Sequence, residues 1–278
     1  MEPREISIGH SPDPDDAFMF YALTQGKLDT GGLTIKHVIT DIESLNHRAV
    51  EGELEVTALS VHAYGYVMDK YAMLPCGASM GDKVGPIVVA RKPMPVGELA
   101  DDRIAVPGTM TTAYLLLKLL LMNFRFEVLP FDKIMDAVLG GEVDAGLLIH
   151  EGQLTYAKLG LHKIVDLGEW WHADMGLPLP LGVNAVRKDL GKQLMRHITD
   201  LLRQSIQYGL AHREEAVAYA MSYGRGMDAA TTDKFVGMYV NDWTLDLGAK
   251  GREAIRKLLA RGYHASILPR PVYLEFVE

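Results

Sequence analysis

Asp144-Ala145-Gly146-Leu147-Leu148-Ile149-His150-Glu151 is the stretch on which the reading of this chain turns. From Ala145 to Ile149 no side chain is polar, and the run follows a Gly140-Gly141 break. That is how a strand buried on both faces of a parallel sheet reads. It places His150 at the carboxyl end of a strand, the edge at which open α/β sheets bind ligands. An imidazole held there is a candidate general base or acid, with a histidine merely satisfied at a strand terminus as the plainer alternative.

The same phrase occurs earlier. Gly52-Glu53-Leu54-Glu55-Val56-Thr57-Ala58-Leu59-Ser60 aligns with Gly141 to Ile149, and each follows a helical pattern, Ile42 to Val50 and Ile134 to Leu139. The repeat predicts two related lobes, with Ser60 and His62 ending one strand and His150 and Glu151 ending the other across a cleft. The chain of 278 residues, 48% hydrophobic, is long enough to bury two cores. A formal net charge of -8 without a Lys/Arg cluster argues against nucleic acid or an anionic membrane as partner. The single cysteine, Cys76, excludes an internal disulfide and reads as a core residue. Glu5 to His10 reads as an alternating strand directly after Met1, leaving no room for a signal peptide, so a cytoplasmic location is expected. No apolar run approaches the roughly 20 residues needed to cross a bilayer.

After that strand comes Ser11-Pro12-Asp13-Pro14-Asp15-Asp16 and a helical pattern from Ala17 to Gly26. Asp15 or Asp16 could cap the first turn, a structural role that competes with a catalytic one. His10 also closes a strand and rivals His150 as the base. In the second lobe Arg103 to Pro107 reads as a strand, Gly108-Thr109-Met110-Thr111-Thr112 as a turn, and Ala113 to Met122 as a helix. Free amides, hydroxyls and the positive end of a helix dipole there suit a carboxylate or phosphate. It is not a Walker loop, because the Gly-Lys-Ser/Thr signature is missing. Gly85 to Lys92 and Leu181 to Lys188 read as crossings between lobes, giving a discontinuous first lobe, 1–88 with 185–278, and a second, 90–182. Helical patterns at Leu190 to Leu210, Glu214 to Ser222, Ala229 to Val240 and Lys250 to Arg261 would cover the first lobe.

Ser11 to Phe18, Asp41 to Asn46, Gly108 to Tyr114, Ala145 to Glu151 and Leu177-Pro178-Leu179-Pro180-Leu181-Gly182, in order along nearly the whole chain, resemble the 1,4-dihydroxy-6-naphthoate synthases of the futalosine route to menaquinone. The resemblance implies an α/β, two-lobed type II periplasmic-binding-protein-like fold with a central cleft. It also implies carbon-carbon cleavage of cyclic dehypoxanthinyl futalosine, a small-molecule carboxylate, without metal or redox cofactor. Carried over, the base falls on His150, and the pocket for the small polar part of the ligand on Asn46, Ser60, Thr109, Thr111 and Thr112. In relatives the first loop commonly reads Ser-Pro-Cys-Pro-Asn-Asp-Thr. Asp13, Asp15 and Ala17 depart from it by adding negative charge and losing a hydroxyl. Two alternatives share the fold: chorismate dehydratase of the same pathway, and a solute-binding receptor.

Overall fold

A computed structural model describes residues 4–278 of the protein. The chain opens with β1 (Arg4–His10), α1 (Pro14–Thr24), β2 (Leu33–Ile39), α2 (Ile42–Glu51), β3 (Val56–Ser60), α3 (Val61–Val67), β4 (Tyr71–Met73) and β5 (Ser79–Gly81). There follow β6 (Ile87–Ala90), β7 (Arg103–Val106), α4 (Thr112–Leu121), β8 (Arg125–Val128), α5 (Ile134–Gly140), β9 (Ala145–Leu148), α6 (Gly152–Thr155), β10 (His162–Asp166) and α7 (Leu167–Met175). It ends with β11 (Leu179–Arg187), α8 (Lys192–Ala211), α9 (Arg213–Met221), α10 (Ala229–Tyr239), α11 (Asp242–Leu245) and α12 (Gly248–His264).

Two sheets form. One has the order β2-β1-β3-β11-β4 with β5 on β11, the other β10-β6-β9-β7-β8. The repeated phrase explains their likeness. β3 pairs in parallel with β1 and antiparallel with β11, while β9 pairs in parallel with β7 and antiparallel with β6. The registers also match, Ile8 opposite Val56 and Ile104 opposite Ala145. Gly52 and Gly141 end α2 and α5 as left-handed C-caps, at φ 76° and 77°, conformations that glycine adopts without a Cβ penalty. The strand read as belonging to a parallel sheet does pair in parallel on one side, and each sheet is mixed because its other neighbour runs antiparallel. An antiparallel strand buries the same apolar faces, so hydrophobicity alone does not distinguish the two.

β6 lies wholly in the second sheet and β11 wholly in the first, so the chain passes between sheets at residues 82–86 and 167–178. These two passages touch: the Leu167 amide donates to the Pro86 carbonyl at 2.9 Å, and a Cβ on Gly168 would stand 2.1 Å from the Val84 carbonyl. α1 starts at Pro14, a residue suited to the first helical position, and its acidic first turn complements the helix dipole. Every residue from Pro14 to Leu23 is buried, because α1 is covered by α8, α9 and α10. α8 supplies Met195, Ile198, Leu201, Leu202 and Ile206 at spacings of three and four, a single apolar face. The core on this side joins them to Phe18, Phe20 and Val56.

Candidate active site

A cavity opens where the parallel strands of both sheets end. Ser11, Asp13, Asp15 and Asp16 reach it from the β1–α1 corner, Ser60 from the end of β3, and Thr111, Thr112 and Ala113 from the start of α4. Ile149 follows β9, Asn184 stands on β11, and Tyr239 ends α10. Ligands in such folds sit at these carboxyl edges because helix N-termini converge there.

Ser60, Thr111 and Thr112 line the cavity as expected from the sequence. Asn46 is fully buried behind Ser60, donating from Nδ2 to Ser60 Oγ at 3.0 Å and accepting the Ser60 amide at 2.9 Å, so it positions the serine. Thr111 caps α4, donating to the Gly108 carbonyl at 2.9 Å and accepting the Tyr114 amide at 3.1 Å. Thr112 Oγ1 donates to the Leu181 carbonyl at 2.6 Å and accepts the His62 amide at 3.2 Å, tying the second sheet's helix to the first sheet. Glu43, on α2, accepts the Met110 amide at 3.1 Å and makes a second such tie. Thr109 is a correction: it lies in a separate surface recess with His47, His62 and Tyr66. Of the turn residues, only those after Met110 face the cavity.

His150 also departs from expectation. Its ring is 3% exposed and absent from the cavity lining, with Nε2 2.9 Å from the Phe131 carbonyl and Nδ1 accepting the Gly152 amide at 3.1 Å. The physical reason is alternation: Ile149 continues the extended chain and faces the cavity, so the next side chain points the other way. The ring packs edge-on against Phe131 at 5.2 Å. Beside it, Glu151 sits 3.4 Å from Nδ1 and accepts from Arg225 at 2.8 and 3.0 Å. Arg225 also reaches Asp13 at 3.3 Å and the Pro12 carbonyl at 3.2 Å, with its guanidinium 4.5 Å above the Phe131 ring. One cation thus joins the β1–α1 corner, the end of β9 and the loop after α9. No pattern near residue 225 marks it in the sequence.

His10, the rival base, is fully buried, stacked on Phe20 at 4.8 Å, and outside the cavity. Burial pushes its pKa down to about 4. Cys76 is buried in the core, its thiol pushed up to about 12, as the composition leads one to expect.

The aspartates cap nothing in α1. Asp16 accepts the Ser11 amide at 2.7 Å and Asp15 accepts from Ser79 Oγ at 3.0 Å. Burial raises Asp15 well above the usual carboxylate range, with Asp16 adding to the rise. Burial lifts Asp16 to about 6 against the Ser11 amide, and lifts Asp13 against Arg225. Glu151 goes the other way: His150 and Arg225 outweigh burial and hold it at about 2. Ser79, Asn184 and Tyr239 are lining residues that the sequence reading missed, while for Asp15 it left a capping and a catalytic role open. Only the Asp-Pro-Asp-Asp run offered a signal. Among the described residues, no three His, Cys, Asp or Glu side chains are grouped as metal ligands.

A family model described as menaquinone biosynthesis matches residues 6–264. Proteins named 1,4-dihydroxy-6-naphthoate synthase from Thermus thermophilus and Streptomyces coelicolor are 42% and 38% identical to this chain, each over 97% of it and over 99% and 96% of their own length. A crystal structure of an Archaeoglobus fulgidus protein, 49% identical, superposes with a TM-score of 0.91 over 95% of this chain and 98% of that one. The periplasmic aliphatic sulphonate binding protein of Escherichia coli, only 12% identical, still superposes with a TM-score of 0.68 over 97% and 90%. The fold is thus the expected two-lobed, periplasmic-binding-protein-like α/β architecture. By the match of the family model and the identity to both synthases, this chain belongs to the menaquinone-biosynthesis family that contains the 1,4-dihydroxy-6-naphthoate synthases.

Proposed function

We propose that this protein converts cyclic dehypoxanthinyl futalosine to 1,4-dihydroxy-6-naphthoate by base-assisted carbon-carbon cleavage. The observation that carries the reading is end-to-end identity to two proteins bearing that enzyme name. The two lobes, expected from the sequence at 1–88 with 185–278 and at 90–182 and joined where the chain passes between the sheets at 82–86 and 167–178, close on the substrate. Its carboxylate sits on Ser60 and on the Thr112 and Ala113 amides, which have no acceptor within α4. Asn46 and Thr111 keep those donors in place.

His150 is the proposed base. To act, the ring turns away from the Phe131 carbonyl at the mouth of the cleft and changes tautomer, Nδ1 taking the proton beside Glu151 so that Nε2 is left bare to accept from a substrate hydroxyl. Removing that proton lets the oxygen form a carbonyl as the adjacent carbon-carbon bond breaks, and the proton returns to the departing carbon. Donors facing the developing charge lower the barrier, and closure excludes water. Asp16 is the second candidate, favoured by its place in the cavity wall and a pKa lifted to about 6.

This reading places the reaction in the cytoplasm and involves no nucleic acid. In support, no described helix is long and apolar enough to cross a membrane, and the net charge is -8. The test is parallel incubation of purified protein with cyclic dehypoxanthinyl futalosine and with chorismate, followed by chromatography and mass spectrometry. Formation of the naphthoate from the first alone is expected. Consumption of chorismate instead identifies a dehydratase, and consumption of neither identifies a receptor.

A further inference from the structure

The cavity's hydrogen-bond inventory is lopsided. Ser11 Oγ donates to Asp13 at 3.0 Å, Ser79 Oγ to Asp15 at 3.0 Å, and Tyr239 to Gln153 at 2.6 Å, while Thr111 and Thr112 donate to the carbonyls already described. Each of these hydroxyl protons is committed to a protein acceptor. Among the described lining hydroxyls only that of Ser60 keeps an uncommitted proton, and with the α4 amides it lies at the side assigned to the carboxylate; on the other side the free donors are main-chain amides of the first turn of α1. Among the described residues, no Lys, Arg or His lines the cavity. The side chains of that other side are acceptors: the Asp15 and Asp16 carboxyls and the lone pairs of the committed hydroxyls. An independent observation points the same way. Asn184 lines the cavity and is 1% exposed; its Nδ2 donates to the Gly77 carbonyl at 2.8 Å, and its Oδ1 has no partner among the described residues. A buried acceptor left unpaired is costly, so the site is built for something that donates to it.

We infer that Asp15, Asp16 and Asn184 form a subsite for the hydroxyl groups of the ligand, opposite the subsite for its carboxylate. This rests on the cavity being the active site, and it deepens the proposed function by fixing which end of the substrate lies where. A singly protonated Asp15–Asp16 pair still offers more acceptors than donors, so its polarity holds. Vicinal ring hydroxyls match the spread of acceptors. A ligand carrying anionic groups at both ends is rejected, since the acceptor side would repel one of them.

The test compares cyclic dehypoxanthinyl futalosine with an analogue in which one ring hydroxyl is replaced by hydrogen, by calorimetric binding to the wild type and to Asp15→Ala. The wild type should bind the deoxy compound about 10- to 100-fold more weakly, the size of leaving a buried acceptor without its donor. In Asp15→Ala the two compounds should differ by less than about threefold. The variant should fold, because it removes a carboxyl that burial already disfavours, and unfolding by heat checks this. Equal binding of both compounds by the wild type, or an undiminished difference in the variant, overturns the subsite. Turnover measured on the same samples reports on the function separately. Discrimination without conversion keeps the subsite and loses the reaction, whereas conversion of both compounds at equal affinity does the reverse.

Discussion

His150 is held by two main-chain contacts, and this makes its role testable by substitution. With His150→Ala, binding should persist while turnover falls by about 10² to 10⁴-fold, the range for a positioned proton-transfer group. Near-normal turnover would move the base to Asp16, and Asp16→Asn is then the variant that loses it. His10 is a different kind of histidine. Its folded pKa of about 4 lies below the ordinary 6.5, so between those values the unfolded chain takes up a proton that the folded one refuses. Stability is retained above pH 6.5 and lost as pH falls toward 4. From pH 7 to pH 5 this one residue accounts for a loss of about 2 kcal/mol, which His10→Leu should abolish in urea unfolding. Asp16 works in the opposite sense: its raised pKa adds stability as pH falls below about 6. A parallel loss in wild type and His10→Leu would show that the buried imidazole is not the group titrating.

At the scale of elements, the start of α4 depends on a turn that glycine alone satisfies well. Gly108 has φ 154°, and a Cβ there would lie 2.2 Å from Cδ of Glu43, the carboxylate that accepts the Met110 amide. Gly108→Ala therefore displaces Glu43 and loosens the amides of Thr112 and Ala113. Substrate KM should rise about tenfold or more, in line with loss of one charge-assisted hydrogen bond, with kcat changed less. An unchanged KM would remove α4 from the carboxylate site. The same turn explains why Thr109 was misassigned. Three threonines in four positions look alike in a string, but the turn before α4 sends the first one to the outer surface.

At the scale of the molecule, Arg225 is the contact that spans the most of the chain. It pairs with Glu151 and Asp13 and covers Phe131, so it holds the mouth of the cleft. Removing it leaves Glu151, a side chain 9% exposed, without its cation, a change that costs about 3–5 kcal/mol for buried pairs. In Arg225→Gln the cleft should open, seen as a larger radius of gyration in small-angle scattering, and KM should rise with it. Wild-type scattering and wild-type KM in that variant would show that other contacts, such as Thr112 with Leu181, suffice to keep the halves together.

The alternation of apolar residues, the Gly52 and Gly141 phrases and the helical spacing after Lys188 carry the architecture, because they are local patterns whose period dictates which face is buried. That is why the strand at Ala145–Leu148, its twin at Val56–Ser60 and the four late helices are legible in the chain itself. Ser60, Thr111 and Thr112 are legible for the same reason, as ends of those patterns. The direction of the His150 ring, the company of Asp15 with Ser79, the unpaired Asn184 oxygen and the Arg225 bridge are not. Each joins segments far apart in sequence, Asp15 to Ser79 and Glu151 to Arg225, and only the closing of two sheets against each other brings those partners within hydrogen-bonding distance.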